Sequence, residues 1–291
     1  MFDYKYKVVK SECETTYGSI CVKNIVFEPE EIENVLPDIV LEDDNLKHMF
    51  AEDNLNRRNK QNIYRRFVPK SGITTDLDSF IEDNIRTNKS FYSFLAEGIL
   101  GLIFRDMYSY QLAKGIIAVE DTLADSHTGV DACMYNLEQN LIVLGEAKFY
   151  ESFDGGIKQI IKDFVDNSIK NKLESLQTKV ETCEDAYRIV IKNLAIGEYD
   201  ELTVDQFMSQ KITFVGFVLH SETDVSQYGN SDFYDKYSVS VEQLVDNVRN
   251  SLNHNDIEGD YEIILVHLPI KDKKNLIHKM IEASRAKLTS I

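Results

Sequence analysis

The chain has no run of eighteen or more apolar residues, so the sequence offers no helical membrane span. Its start, MFDYKYKVVKSE, lacks the apolar stretch of a secretory signal, and a cytoplasmic protein is expected. Cysteine is sparse. Cys13, Cys21, Cys133 and Cys183 lie far apart with no CxxC pair, which suggests neither a zinc site nor a disulfide frame and leaves reduced thiols. No GxxxxGK[ST] loop occurs, so a P-loop for nucleotide phosphates is absent. Internal repeats and low-complexity tracts are also missing. Positive charge is scarce: 32 Lys and Arg stand against 49 Asp and Glu, for a net −17. Such a chain does not hold nucleic acid by overall electrostatics. A nucleic-acid role would need a local basic patch, a metal or a basic partner. The acidity also fits docking onto such a partner, or plain solubility.

What is present is a chain of 291 residues, 43% hydrophobic, enough for one large domain or a domain with an appendage. Tyr4, Tyr6, Val8 and then Ile20, Val22, Ile25, Phe27 alternate as in strands, with a hairpin expected across Tyr17-Gly18-Ser19. Residues 30–56 are strongly acidic and read as helix and loop. A basic island follows, made of Arg57, Arg58, Lys60, Arg65 and Arg66, with Tyr64 and Phe67 among them. It could grip a nucleic-acid backbone or a partner, with Tyr64 or Phe67 stacking on bases. It could equally be a solvated helix face paired with Glu52 and Asp53. The stretch PKSGITT then marks a linker. The expected division is an N-terminal α+β extension over 1–80 and a main domain over 81–291.

The main domain opens with a helix from Ser90 to Tyr108. Phe91, Phe94, Leu95, Leu102, Ile99, Ile103 and Met107 make it apolar over most of its surface, so it should be buried. Glu97 lies in its middle, where a carboxylate is costly unless paired or metal-bound. Strands are expected at 115–119, 130–135 and 141–148, with a turn at 136–140 between the last two. Asp154-Gly155-Gly156 reads as a turn into a helix over 157–180, and a further helical stretch covers 184–195. KITFVGFVLH (211–220) and YEIILVHL (261–268) are continuous apolar runs typical of central strands. A crossover helix over 241–252 and a basic C-terminal helix over 271–288 complete the chain. The order describes an α/β fold with a mixed central sheet flanked by helices.

The chemistry concentrates on the hairpin GVDACMYNLEQNLIVLGEAKFY. Residues two apart on a strand share a face, so Glu146 and Lys148 project side by side and Ala147 faces away. Counting back from the turn places Asp131 opposite residues 144–145, within one or two positions of Glu146. Two carboxylates at a strand end suit Mg²⁺, which prefers oxygen ligands. A neighbouring lysine can orient an attacking water or steady a phosphoryl oxyanion. That combination describes phosphodiester hydrolysis, with Glu97 a third carboxylate if its helix packs over the sheet. The bland readings are a surface ion pair for Glu146 and Lys148 and a turn aspartate for Asp131. Lys158 and Gln159 lie near the tip and could touch phosphate, or be plain helix surface. His127 reads as a loop histidine with possible substrate contact. His220 and His267 end their strands without an evident role.

These residues resemble the PD-(D/E)xK nuclease superfamily, whose αβββαβ restriction-endonuclease-like core matches the order from 90 to 220. Val130 stands where the signature has proline. More narrowly, FLAEGILGLIFRD around Glu97, TGVDAC, LGEAKFY and the Gly-Gly-Ile-Lys-Gln helix opening are similar to HamA, the nuclease subunit family of the Hachiman anti-phage defence system. The resemblance implies a Mg²⁺- or Mn²⁺-dependent DNA endonuclease that works in a heterodimer with a helicase subunit. It implies that Asp131 and Glu146 ligate metal, that Lys148 positions the water or steadies the transition state, and that Glu97 assists. The superfamily also contains inactive binding proteins. The alternative is therefore a nuclease-fold module that anchors and regulates a DNA-bound helicase.

Overall fold

The computed structural model describes residues 10–17, 20–27, 32–50, 54–68, 77–87, 89–112, 131–136, 141–166, 211–221, 242–246, 249–250 and 261–291. A hairpin spans Tyr17-Gly18-Ser19 as expected, with strand β1 at Lys10–Tyr17 and β2 at Ile20–Phe27 paired antiparallel, while Tyr4, Tyr6 and Val8 lie outside the described residues. A 3-10 turn at Ile32–Asn34 leads into helices α1 (Leu36–Val40), α2 (Asp43–Phe50) and α3 (Arg57–Arg66). Helix α3 is capped by Asn56, whose side chain accepts from the Asn59 amide at 2.9 Å. Helices α4 (Leu77–Thr87) and α5 (Lys89–Tyr108) follow. Then come β3 (Gln111–Leu112), β4 (Ala132–Asn136), β5 (Leu141–Tyr150) and helix α6 (Phe153–Asp166). Strands β6 (Lys211–His220) and β7 (Tyr261–Pro269) and helix α7 (Lys273–Ser290) end the chain.

All seven strands form one sheet in the order β1-β2-β7-β6-β5-β4-β3. Strands β2, β7, β6 and β5 run parallel, while β1 at one end and β4 and β3 at the other are antiparallel to their neighbours. This is the mixed α/β sheet flanked by helices that the element order implies, and α5-β3-β4-β5-α6-β6 is its αβββαβ unit. The parallel stretch explains the two continuous apolar runs. Val215, Phe217 and Leu219 face one side, Phe214 and Val218 the other, and all are buried. The hairpin and helices before residue 80 share this sheet and its core with the elements after it.

One face of the sheet carries α1 to α5 and α7, joined in a single apolar cluster that runs from Ile25 and Phe27 through Ile99, Leu100 and Ile103 to Met280 and Ile281. Helix α5 is buried as its composition requires: Leu95, Ala96, Ile99, Leu100, Leu102, Ile103 and Phe104 are all closed to solvent. Gly98 admits a close neighbour, which is the side chain of Met49 on α2. The other face is covered by α6, whose Phe153, Ile157 and Ile160 are buried. Asp154-Gly155-Gly156 is the first turn of α6 rather than a turn ahead of it. Ser152 caps it, accepting from the Gly155 amide at 3.2 Å. A Cβ on Gly156 would lie 2.4 Å from Val218 Cγ1, so glycine there lets α6 press onto β6.

The segment expected to cross over between β6 and β7 is helical at 242–246 and 249–250. The strand expected at 115–119, the helix at 184–195, and the helix expected beyond 166 lie outside the described residues, as do His127 and the PKSGITT linker.

Candidate metal and phosphodiester site

The site is set by where β4 leaves β5, at the open end of their hairpin. Their register pairs Ala132 with Gly145, so Asp131 stands level with Glu146, a step beyond the position counted from the turn. Asp131 Oδ2 accepts a hydrogen bond from the Ala147 amide at 2.8 Å. The side chain thus takes the place that a continuing β4 main chain would fill. Lys148 Nζ lies 3.7 Å from the same Asp131 oxygen and 3.5 Å from Glu146 Oε2. Glu146 is 4% exposed. Glu146 and Lys148 project from one face of β5, as the strand period requires. Ala147 points into the apolar cluster on the other.

Helix α5 brings Glu97 to this group. A Cβ on Gly145 would meet Leu100 Cδ2 at 2.8 Å, so α5 lies directly on the hairpin just before Glu146. Glu97 is one helical turn before Leu100 and shares its side of the helix. Burial, and then the charge of Asp131, hold the Glu97 carboxyl well above the usual carboxylate range, with Lys148 opposing. The four residues singled out in the sequence, Glu97, Asp131, Glu146 and Lys148, are therefore one electrostatic unit.

Among the described residues, no three His, Cys, Asp or Glu side chains are drawn close enough together to hold a metal ion. What the hairpin presents is two carboxylates bridged by an ammonium, with the buried Glu97 carboxyl beside them. As a donor set, three carboxylates suit a hard divalent cation such as Mg²⁺ or Mn²⁺ in kind.

Lys158 and Gln159 lie on the face that carries Glu146 and Lys148. Tyr150, two residues beyond Lys148, donates from its hydroxyl to Gln159 Oε1 at 3.5 Å. Lys158 pairs with Asp154 at 2.5 Å and is largely exposed. The first turn of α6 is anchored by a cluster that sequence reading left without a role. The Phe153 ring stacks on His267, with centroids 3.3 Å apart, and meets His220 edge-on. His267 Nε2 lies 2.6 Å from Asn24 Oδ1. Burial, and then the neighbouring His220, keep His267 well below the usual histidine range. Parallel pairing puts Lys148, Val218 and His267 in one row across β5, β6 and β7, which the strand lengths alone did not reveal.

The basic island lies apart from this group. It forms α3, in the layer on the opposite face of the sheet from α6. Arg57, Arg58 and Arg65 are exposed, and Lys60 pairs with Asp43. The expectation that Tyr64 or Phe67 stacks on bases is overturned. Both are buried, at 2% and 1% exposure, because with Ile63 they form the apolar stripe that seats α3 on the core. Glu52 and Asp53, the acids that a solvated face would pair with, lie outside the described residues.

Fold and site together define an α/β protein whose αβββαβ unit carries an acidic pair and a lysine at the open end of its β4–β5 hairpin. The family model HamA matches residues 29–284, and the chain belongs to that family, a component of the Hachiman anti-phage defence system. No curated protein matches the chain. No helix among the described residues is long and apolar enough to cross a membrane.

Proposed function

We propose that this chain is a metal-dependent DNA endonuclease, the effector of a defence complex in which a helicase partner controls it. The observation that carries this reading is Lys148 Nζ within 3.7 Å of Asp131 and 3.5 Å of Glu146, at the open end of a hairpin under a helix bearing Glu97. Asp131, Glu146 and Glu97 are the residues that would hold Mg²⁺ or Mn²⁺. The bound ion supplies Lewis acidity and lowers the pKa of its water. The chain's own part is positional. Asp131 is fixed by the Ala147 amide, so its free oxygen has a defined direction. Lys148 donates to an attacking water or to a phosphoryl oxygen as negative charge gathers there. Glu97, beside Asp131 and Lys148, would complete the acidic set that holds the ion. Lys158 and Gln159 contact phosphates flanking the cut. In this reading residues 81–291 are the nuclease unit and 1–80 an extension.

One observation favours a second reading. The absence of a ready three-carboxylate cluster among the described residues suits a nuclease-fold module that anchors a DNA-bound helicase without cutting. Plasmid cleavage by the complex with its helicase subunit separates the two. The nuclease reading expects Mg²⁺-dependent nicking that Glu146→Ala and Lys148→Ala each abolish. Equal products from wild type and both variants would sink the site assignment, and no nicking by the wild-type complex would favour the module.

A further inference from the structure

Helices α3 and α7 pack against each other, and together they hold an unusual share of the chain's charge. Helix α3 carries Arg57, Arg58, Lys60, Arg65 and Arg66 and no acid. Helix α7 carries Lys273, Lys274, Lys279, Arg285 and Lys287 and one acid, Glu282. Ten of the 32 cationic residues of this chain, and one of its 49 acidic ones, thus lie on one helix pair. Some of these cations are used internally. Lys60 pairs with Asp43, Lys274 with Asp78 and Glu82, and Lys279 bonds Asn34. Lys273 donates to the Phe149 carbonyl at 3.3 Å and lies over its ring. Arg57, Arg58, Arg65, Arg285 and Lys287 make no ion pair with the described residues. The four arginines among them are exposed.

Arg57, Arg58 and Arg65 on α3 and Arg285 on α7 thus stand exposed, with no ion pair among the described residues, on a protein of net charge −17. Arginines presented in this way form charge-assisted bonds to phosphate oxygens. Arg58 and Arg65 are seven residues apart, two helical turns, and so lie on one stripe of α3. That stripe is opposite the buried Ile63, Tyr64 and Phe67. With both aromatics buried, the surface offers no ring for stacking unpaired bases. What is left is a set of backbone contacts that read charge and not sequence. We infer that the outer surface of the α3–α7 pair, with Arg57, Arg58, Arg65 and Arg285, is a non-specific duplex-DNA binding surface. It is separate from the hairpin site and needs no metal. It holds duplex beside the enzyme while the acidic remainder of the chain repels it. The inference goes beyond the proposed nuclease activity and does not depend on it, because binding is read with cleavage excluded.

The test is fluorescence anisotropy of the full chain with a labelled duplex of arbitrary sequence, in EDTA, across a salt series. Wild type should bind with an affinity that falls steeply as salt rises. Arg58→Glu, Arg65→Glu and Arg285→Glu combined should weaken binding at low salt by at least about tenfold. The slope of log affinity against log salt should become shallower by about 0.9 for each phosphate that the variant no longer neutralises. Lys47→Glu, a reversal on α2 outside the surface, should leave affinity unchanged, and thermal melting should show both variants folded. The single strand of the same sequence should bind no more tightly than the duplex. Equal affinity of wild type and the triple variant overturns the inference, as does absence of duplex binding by wild type. A triple variant that keeps its DNA affinity but loses the helicase subunit overturns it too, and assigns the surface to an acidic protein.

Discussion

Asp131 reaches across from the foot of β4 and accepts the Ala147 amide of β5 at 2.8 Å. One carboxylate therefore does two jobs that can be separated. It completes main-chain hydrogen bonding, and it places negative charge 3.7 Å from Lys148. Asp131→Asn keeps an oxygen that can accept from Ala147 and removes the charge. Asp131→Ala removes both and leaves a half-buried amide without its acceptor, at a cost of about 1–3 kcal/mol. The asparagine variant should melt within about 2 °C of wild type, and the alanine variant several degrees lower. Both should lose cleavage. An asparagine variant that melts as low as alanine would show the charge, not the hydrogen bond, to be what holds the hairpin.

Lys148→Ala should reduce Mg²⁺-dependent plasmid cleavage by about a hundredfold or more, the usual loss when a transition-state donor is removed. The same change leaves Asp131 and Glu146 facing each other without their shared cation. Retention of more than a tenth of the wild-type rate would assign the lysine to structure alone.

Glu97 gives a pH signature in metal-free protein. Its carboxyl is raised in the folded state, so the folded chain binds more protons than the unfolded chain above the ordinary glutamate range. Stability is then fully present below that range and is lost as pH rises towards the folded value. Glu97→Gln removes the loss. In EDTA it should melt about 2–4 °C above wild type at pH 8, with the gap closing near pH 4. A constant gap across the range would show that the titration of Glu97 is not its source.

The histidines act in the opposite direction. His48 is lowered to about 4 by burial and by Arg105, and His267 lies well below its usual range through burial and His220. Both are neutral in the folded protein and take up protons on unfolding, so stability is present above about pH 6.5 and is lost as pH falls below it. His267→Asn should flatten the acid limb of a melting-temperature profile between pH 6.5 and 4.5. An unchanged limb would place the acid sensitivity elsewhere.

Gly156→Ala places a methyl 2.4 Å from Val218 Cγ1 on a strand that cannot yield. Overpacking of this kind costs about 1–3 kcal/mol. Because α6 carries Lys158 and Gln159, substrate affinity should fall together with melting temperature. A melting temperature equal to wild type would mean that α6 does not press on β6 in solution.

Much of this was legible in the chain because periodicity reports burial. The runs at 211–220 and 261–268 became central strands with little change in their bounds, and the 141–148 strand extended only to Tyr150. The alternation around Tyr17-Gly18-Ser19 became a hairpin. Glu146 and Lys148 share a face for the same reason. Sequence could not show how far α5 would lean on the hairpin, because that rests on the absence of a Cβ at Gly145. Nor could it show that Tyr64 and Phe67 turn inward. In a ten-residue basic helix, the aromatic and basic positions interleave, and only packing against the core decides which face is outside. Asp154-Gly155-Gly156 looked like a turn because two glycines disfavour helix, but close packing on Val218 outweighs their propensity. The His220–Phe153–His267 cluster was hidden because its three members meet only through strand register.

Strand β5 pairs with β6 along all ten residues but with β4 only from Leu141 to Gly145. Past that point, among the described residues, side chains satisfy its main chain: Asp131 takes the Ala147 amide and Lys273 the Phe149 carbonyl. A half-strand finished by two opposite charges is guarded against adding a foreign strand, since any intruder must first displace them. Removing either charge exposes a hydrogen-bonding edge in the middle of the sheet. Variants neutral at Asp131 and Lys273 together should self-associate on concentration where wild type stays dispersed.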